Sequence, residues 1–108
     1  MHVHSLLDSC ESFEWDKANS FKNWLKHRVS EGEAEQGFFN EPLLLLEDKK
    51  HSDQENRFWA LGFTDQGRLL FVAFTVREKF IRIISARDMN RKERANYEKF
   101  KANSKIQE

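Results

Sequence analysis

The sequence predicts an α+β fold in which helices flank a small antiparallel sheet. Apolar residues recur at helical spacing around residues 21–28, whereas short runs after residue 43 have the length and alternation of strands. Segments that are rich in charge or contain glycine separate these runs, as in hairpins. The predicted order is β, α, α, β, β, β, β, α, with two N-terminal helices and one C-terminal helix.

The first predicted elements are a short strand and an amphipathic helix. Residues 13–15 alternate apolar, charged and apolar side chains, and Asp16 then supplies an N-cap. The helix is expected to end near His27. Its apolar face is formed by Phe21, Trp24 and Leu25, at positions i, i+3 and i+4.

A capping box marks the start of a second helix. Ser30 is followed by Glu33 at the third helical position, so that each side chain satisfies a backbone N–H of the other. The helix is predicted to run through Ala34 toward Phe38. Pro42 is one of the residues that end it, because proline cannot continue the hydrogen-bond ladder.

Residues 43–47, 57–64, 69–75 and 80–87 are the remaining predicted strands. Residues 69–75 are apolar on both faces, which is typical of a central strand. The charged residues 48–56 form a loop, and Gly67 supplies the positive φ of a tight turn. A further turn is expected at residues 76–79.

The last predicted element is a helix that begins at Asn90, with Glu93 at its third position and Ala95, Tyr97 and Phe100 as packing residues. The sequence contains no repeat or linker that would divide it. We therefore expect a leader at residues 1–11, one domain at residues 12–101 and a loose tail at residues 102–108.

Charge is distributed unevenly although the formal net charge is zero. Residues 77–108 contain ten Lys or Arg against five Asp or Glu, whereas residues 1–76 contain eight against thirteen. With 39% hydrophobic and 13% aromatic residues, the chain is neither disordered nor fibrous. The basic C-terminal third is able to face an anionic polymer.

The cysteine content and the hydropathy of the sequence limit which compartment and which cofactors are expected. Cys10 is the only cysteine, which excludes an intrachain disulfide and suits the reducing cytoplasm. Neither a signal peptide nor a membrane span is predicted. His2 and His4 together with Cys10 do not match the spacing of a zinc site, so no metal or other cofactor is expected.

The most informative segment is the strand at residues 80–87, because it carries Arg82 and Arg87 among apolar residues. Strict alternation would place Ile81, Ile83 and Ser85 on one face, and Arg82 and Ile84 on the other. A guanidinium beside an apolar strand requires an anionic partner. That partner is either a structural carboxylate or a bound phosphate.

The ordered motifs of the chain resemble the BrnT-type toxins between about residues 12 and 100. The resemblance implies a bacterial ribonuclease toxin of a type II toxin-antitoxin pair, with a RelE-like, microbial-RNase-like fold. It also implies a BrnA-type antitoxin that carries a DNA-binding domain, so that DNA is contacted only through the complex. Many relatives have glycine after the Lys-His pair, where this chain has Arg28. The matching motifs are Phe13-Glu14-Trp15-Asp16, Asn23, Lys26-His27, His51-Ser52, Glu55-x-Arg57-Phe58, Leu61-Gly62, Gly67-Arg68-Leu69-Leu70, Phe74-Thr75 and Ile81-Arg82-Ile83-Ile84-Ser85-Ala86-Arg87.

Metal-independent RNA cleavage needs a base for the 2′-OH, positive charge over the phosphorane and a proton for the leaving oxygen. Arg57, Arg82 and Arg87 are the candidates for the charge. For substrate binding we predict Arg77, Arg91 and Arg94. The candidates for proton transfer are Lys26, His27, His51 and Glu55, among which the sequence does not discriminate.

Each candidate also has a structural interpretation. His27 and Lys26 would interact with the end of the helix dipole, and His51 would be a solvated loop residue. Glu55 and Arg57, two apart on a strand, would form a pair. The basic run at residues 91–94 would be a solvated helix face. The tryptophans are interpreted as core residues instead of base-stacking platforms, namely Trp15, Trp24 and Trp59.

Two other functions stay open on the sequence alone. One is a non-catalytic interaction module whose basic surface binds an acidic protein segment, with Arg82 and Arg87 in structural ion pairs. The other is a nucleic-acid binder without catalysis, which the neutral net charge disfavours. If the chain is a toxin, the final helix and the arginine strand are the surface that an antitoxin would cover. A homodimer is compatible with the sequence.

Overall fold

The structure is a computed structural model that describes residues 7–51 and 55–106. The strands are β1 (Ser12–Trp15), β2 (Leu44–Asp48), β3 (Arg57–Phe63), β4 (Leu69–Arg77) and β5 (Phe80–Asp88). The helices are α1 (Lys17–His27), α2 (Glu31–Gln36) and α3 (Arg91–Ile106), and a 3-10 turn covers Lys49–His51. The predicted α+β class and the order of elements are confirmed.

The five strands form one sheet in the order β1-β5-β4-β3-β2. The apolar strand β4 lies in the middle, as predicted. Neighbours from β5 to β2 are antiparallel, but β1 runs parallel to β5, with Ser12 opposite Phe80 and Trp15 opposite Ile83. The prediction of a wholly antiparallel sheet is therefore wrong. The reason is that β1, although it lies beside β5 in the sheet, is separated from it along the sequence by two helices and three strands, and it joins the free edge of β5 in a pairing that no local turn specifies.

Local signals fixed the ends of the helices. The Asp16 side chain accepts a hydrogen bond from the Asn19 N–H at the start of α1, and the Ser30–Glu33 capping box is present at α2. Arg28 takes the left-handed conformation with φ 55°, so it ends α1 in the way a glycine would. Helix α2 ends at Gln36, before the predicted Phe38. Gly67 has φ 85°, as the predicted turn requires.

Helices cover both faces of the sheet. On one face, the α1–α2 junction and the segment after α2 pack on β3, β4 and β5 through a core that includes Val29, Ala34, Phe74 and Ile83. On the other face, α3 packs through Tyr97 and Phe100 on Leu61 and Phe71. Ala95 was predicted to pack as well, but it is exposed, since Tyr97 occupies the buried position of that helix.

The apolar face of α1 is not part of the core. Phe21, Trp24 and Leu25 are exposed, whereas Asn23 on the opposite side of the helix is 6% exposed. The interpretation of Trp24 as a core residue is therefore wrong. Trp15 does pack at the core, and its Nε1 donates a hydrogen bond of 2.9 Å to Glu35.

The chain ends are described in part. Residues 1–6 of the predicted leader, with His2 and His4, lie outside the described residues; Leu7 and Cys10 pack against the core. Helix α3 continues past Lys101 to Ile106, so the predicted loose tail is helical up to that residue. Among the described residues, no helix combines the length and the apolar character of a membrane span.

Arg68 joins three elements through five hydrogen bonds. Its guanidinium donates to the Asp88 carboxylate at 2.7 and 3.1 Å, and to Glu33 at 3.1 Å. It also donates to the carbonyl oxygens of His27 and Arg28, at 3.1 and 2.8 Å. These carbonyls belong to the end of α1, where helix partners are lacking. Arg68 therefore fastens the end of α1 and the start of α2 to the end of β5.

We expect Arg68→Met to lower the free energy of unfolding by about 2 kcal/mol, because several charge-assisted hydrogen bonds are lost together. Urea denaturation at pH 7 measures this. The matched control is Arg77→Met, which breaks the more exposed pair with Glu55 and should change stability much less. Equal losses in the two variants would contradict the role of Arg68.

The pair of Arg68 with Asp88 predicts how the stability of the protein depends on pH. The hydrogen bond from Arg68 lowers the pKa of Asp88 below its ordinary value of 3.8 in the folded state. A lowered folded pKa stabilises the protein above the unfolded pKa, and this contribution is lost as the pH falls through the folded value. The stability difference between wild type and Arg68→Met should therefore narrow below about pH 4.

Candidate active site

A β-bulge in β5 brings the two predicted arginines to the same face of the sheet. Thr75 pairs with Arg82 and Ala73 with Ser85, but Phe74 pairs with Ile83, so the ladder is irregular between Ala73 and Phe74. The extra residue on β5 shifts the alternation by one position. Ser85 therefore joins the face of Arg82 instead of that of Ile83, which corrects the strict alternation expected from the sequence. Arg87 follows on the same face, opposite Phe71.

One row of ladder partners on this face crosses all five strands. From β1 to β2 it consists of Glu14, Arg82, Thr75, Arg57 and Asp48. Two guanidinium positions thus flank a central threonine. Thr75 is 1% exposed, and its Oγ1 is the buried side-chain polar atom without a hydrogen-bond partner among the described residues. An unpartnered buried hydroxyl costs roughly 1–3 kcal/mol, and a functional role is one of the explanations for keeping it.

A cleft of about 350 Å³ lies between α1 and the second half of β5. Beyond Ile83, β5 has no pairing with β1, and α1 packs beside it. Three of the residues proposed from the sequence, Lys26, His27 and Arg87, meet in this cleft. Its full lining is Asn19, Lys22, Asn23, Lys26, His27, Ile84, Ser85 and Arg87.

Asn23 fixes the position of the cleft walls. Its Oδ1 accepts a hydrogen bond of 2.9 Å from the Ala86 N–H of β5, and its Nδ2 donates to the Val29 carbonyl at 3.4 Å. The amide thus satisfies a backbone N–H at a position where β5 has no pairing with β1. Because Lys26 and His27 follow one turn later on α1, this contact sets their distance from Ser85 and Arg87.

His27 is suited to accept a proton. Burial lowers its pKa below the ordinary 6.5, and the positive charges of Lys26 and Arg87 lower it further, against the weaker opposing effect of Asp88. The imidazole is therefore neutral at pH 7, which is the form that a general base requires. Its backbone carbonyl accepts a hydrogen bond from Arg68, so the residue is fixed at the end of α1.

The guanidinium groups of the two β5 arginines differ in how completely they are hydrogen-bonded to carboxylates. Arg87 forms a bidentate pair with Glu93, at 2.8 and 2.9 Å, and lies over the Phe71 ring at 4.2 Å. Arg82 donates one hydrogen bond of 3.2 Å to Glu14 and lies 4.0 Å from the Asp16 carboxylate; these side chains are 44% and 43% exposed, against 17% for Glu93. The pair of Arg82 is therefore the easier one for a phosphate to replace.

The other predicted site residues lie outside the cleft. Glu55 accepts two hydrogen bonds from Arg77, at 2.9 and 3.2 Å, a partner that the sequence did not suggest. His51 Nδ1 is 2.9 Å from the Asp48 carboxylate, at the β2 end of the arginine row. Arg91 and Arg94 are exposed on the first turns of α3 and do not line the cleft.

Sequence reasoning missed two residues of this face. Thr75 could be found only from the strand register, which the sequence does not contain. Trp59 shares a face with Arg57, two residues away, and is opposite Ala73. It is partly exposed, and its ring centroid is 5.6 Å from that of Phe71. The two-residue spacing between Arg57 and Trp59 was the signal in the sequence that they share a face. The interpretation of Trp59 as a core residue did not take into account that this face of the sheet is only partly covered.

A larger cavity of about 690 Å³ lies away from this cleft, between the segment 38–43 and helix α3. Its lining is about equally polar and apolar and contains the acidic residues Asp8 and Glu41, with Lys101 as the one cation among the described lining residues. It therefore lacks the positive charge that a phosphodiester substrate requires. The described residues contain no group of three or more His, Cys, Asp or Glu able to hold a metal ion.

Two comparisons with known proteins identify the family and the fold of this chain. Residues 15–93 match the family described as the ribonuclease toxin, BrnT, of type II toxin-antitoxin systems. The structure is similar to the 1.1 Å crystal structure of the Brucella abortus ribonuclease toxin BrnT, with a TM-score of 0.58 and 18% identity. That alignment covers 74% of this chain and 97% of the Brucella chain, and at this identity it shows a shared fold. A search of curated proteins finds no match.

Proposed function

This chain belongs to the BrnT family of ribonuclease toxins of type II toxin-antitoxin systems, and we propose that it cleaves RNA without a metal ion, by attack of the ribose 2′-OH. The observation that carries the proposal is the meeting of Lys26, His27 and Arg87 around Ser85, beside the Arg82-Thr75-Arg57 row. Positive charge and a neutral imidazole in one cleft are what this reaction needs.

In the proposed mechanism, His27 accepts the proton of the 2′-OH. The 2′-oxygen forms a bond to phosphorus, the bond from phosphorus to the 5′-oxygen breaks, and the products are a 2′,3′-cyclic phosphate and a 5′-hydroxyl. The ammonium of Lys26 donates a proton to the leaving oxygen, while Lys22 adds positive charge at the cleft. Cations placed in advance around a developing charge are usually the largest contribution to such catalysis.

The arginine row is proposed to hold a neighbouring phosphate. Arg82 and Arg57 supply guanidinium donors, and once the phosphate displaces the side chains that bury Thr75, the Thr75 hydroxyl donates its hydrogen to a phosphate oxygen, which relieves its unpartnered state. Trp59 on the same face offers a ring on which a base can stack. In this arrangement Arg87 acts chiefly as a positioning residue, because Glu93 already occupies its fork.

The proposed partner is a BrnA-type antitoxin that blocks the substrate, as the family resemblance implies. The resemblance also supports a proposed kinship in fold with the RelE-type toxins. The competing function is a non-catalytic interaction module, and one observation favours it: both β5 arginines are paired with carboxylates. The two functions make opposite predictions for the purified protein.

We expect purified wild-type protein to cleave RNA in the presence of EDTA and to leave 2′,3′-cyclic phosphate ends, as detected by mass spectrometry of the fragments. Arg82→Ala should reduce the rate by about 100-fold or more, with a thermal midpoint near that of wild type, because the two carboxylates that lose their partner, Glu14 and Asp16, are well exposed and stay solvated. Arg87→Ala should reduce both rate and midpoint, since it leaves the less exposed Glu93 unpaired. Absence of cleavage by wild type, with stability loss in both variants, would favour the interaction module.

The pH dependence of the rate tests the role of His27. A base acts in its deprotonated form, so the rate should rise with pH and level off above the pKa of His27. Because that pKa is lowered, the midpoint of the acid limb should lie below 6.5. In His27→Ala the rate should fall by about 100-fold or more and the acid limb should disappear. An unchanged acid limb in this variant would assign the base to another residue.

Thr75→Val separates a substrate contact from a structural role. Removal of an unpartnered buried hydroxyl should leave stability equal or raise it by about 1 kcal/mol, while cleavage falls by about 10-fold through loss of one phosphate contact. The matched control is Thr64→Val, because the Thr64 hydroxyl accepts a hydrogen bond from the Arg68 backbone. The control should lose stability and keep its cleavage rate. A Thr75→Val variant with full activity would remove Thr75 from the site.

A further inference from the structure

Helix α1 presents an uncovered apolar face. The exposed fractions are 63% for Phe21, 42% for Trp24 and 54% for Leu25. Positions i, i+3 and i+4 are neighbours on a helix, so the three side chains form one patch. Single exposed apolar residues are ordinary, but a contiguous group indicates a binding surface. We name these three residues the α1 patch.

The charge around the patch is predominantly positive, with Glu31, which accepts a hydrogen bond of 2.6 Å from Ser20 of α1, as an acidic neighbour. Helix α1 contains Lys17, Lys22 and Lys26 and no acidic residue, and Arg28 follows directly. The Arg28 guanidinium lies 5.4 Å from the centre of the Trp24 ring. The patch thus has an apolar centre and a cationic border. Its complement is a surface with apolar side chains in the centre and carboxylates at the rim.

This chemistry discriminates among three occupants. A second copy of the chain would bring α1 against α1 across a two-fold axis, where the lysines of the two copies would repel each other and Glu31 and Asp16 would offset them only in part. RNA would match the charge and its bases would stack on the rings of Phe21 and Trp24, but it has no aliphatic group that would cover Leu25. An acidic amphipathic helix matches both features, since its apolar face covers the patch and its carboxylates meet the lysines.

We propose that the α1 patch is the docking site for an acidic amphipathic helix of the antitoxin. This inference rests on the proposed ribonuclease function and adds the means of its regulation. Lys22 and Lys26, which border the patch, also line the cleft. A partner seated on the patch therefore neutralises the cleft lysines and covers its entrance. The surface differs from the one expected from the sequence, which was α3 with the arginine strand.

The test uses the full-length double variant Phe21→Ala/Trp24→Ala and the purified cognate antitoxin. We expect the dissociation constant to rise by about 100-fold or more, since truncation of buried aromatic anchors dominates most interfaces. RNA cleavage by the free variant should stay within about threefold of wild type, with an unchanged thermal midpoint, because these side chains are exposed. The matched control is Phe39→Ala, which truncates a 75% exposed aromatic away from α1 and should bind the antitoxin normally.

Charge is tested separately with Lys17→Glu, which should weaken antitoxin binding most at low salt. Each single variant, Phe21→Ala and Trp24→Ala, should show a partial loss, so the test does not depend on the double variant alone. Wild-type affinity in the double variant would overturn the proposal. So would a large loss of RNA cleavage with antitoxin binding retained, which would make the patch an RNA surface. Conversion of a wild-type dimer to a monomer, with antitoxin binding retained, would assign the patch to self-association.

Failure of the ribonuclease function is distinguishable from failure of this inference. If wild type binds the antitoxin but does not cleave RNA, the proposed catalysis is wrong, and the affinity of the α1 variants still decides the docking site. If wild type cleaves RNA and the α1 variants bind the antitoxin unchanged, the docking site alone is wrong.

Discussion

The guanidinium of Arg68 is the contact on which the geometry of the cleft depends. It is 28% exposed, and it binds two carboxylates and two helix-end carbonyls that come from α1, α2 and β5. A lysine would offer a similar charge but not a planar fork that reaches four groups at once. Because one of these groups is the carbonyl of His27, the same side chain that stabilises the fold also fixes the proposed base. Stability and chemistry are therefore coupled through a residue that touches no substrate.

The bulge in β5 is the second constraint, because it decides which side chains share a face. Without the extra residue, Arg82 and Arg87 would lie on opposite faces of the sheet, and one of them would enter the apolar core. With it, both reach the face that α3 covers only in part, next to Thr75 and Trp59. Asn23 then holds the bulged half of the strand against α1. The bulge thus places on one face of the sheet two arginines that regular alternation would place on opposite faces.

The elements that the sequence predicted well are those with local causes. The Asp16 cap, the Ser30–Glu33 box and the Gly67 turn act within a few residues, so their signals can be read in order. The parallel pairing of β1, the bulge and the Thr75 position depend on register between distant strands. The α1 face illustrates the same limit, since periodicity identifies an apolar stripe but not what covers it. Here the polar Asn23 is the buried residue, because β5 supplies its hydrogen-bond partner.

A zero net charge is compatible with an anionic substrate because the acidic and the basic residues have different roles in the structure. Glu93 and Glu14 pair with the β5 arginines, and so offset the cost of keeping guanidinium groups beside an apolar sheet before substrate arrives. The exposure of each carboxylate then decides which arginine a phosphate can take over. Glu14 is solvated readily when displaced, whereas release of the less exposed Glu93 would leave a carboxylate without its cation. In the proposed function, the paired state is therefore a resting arrangement for Arg82 and a permanent one for Arg87.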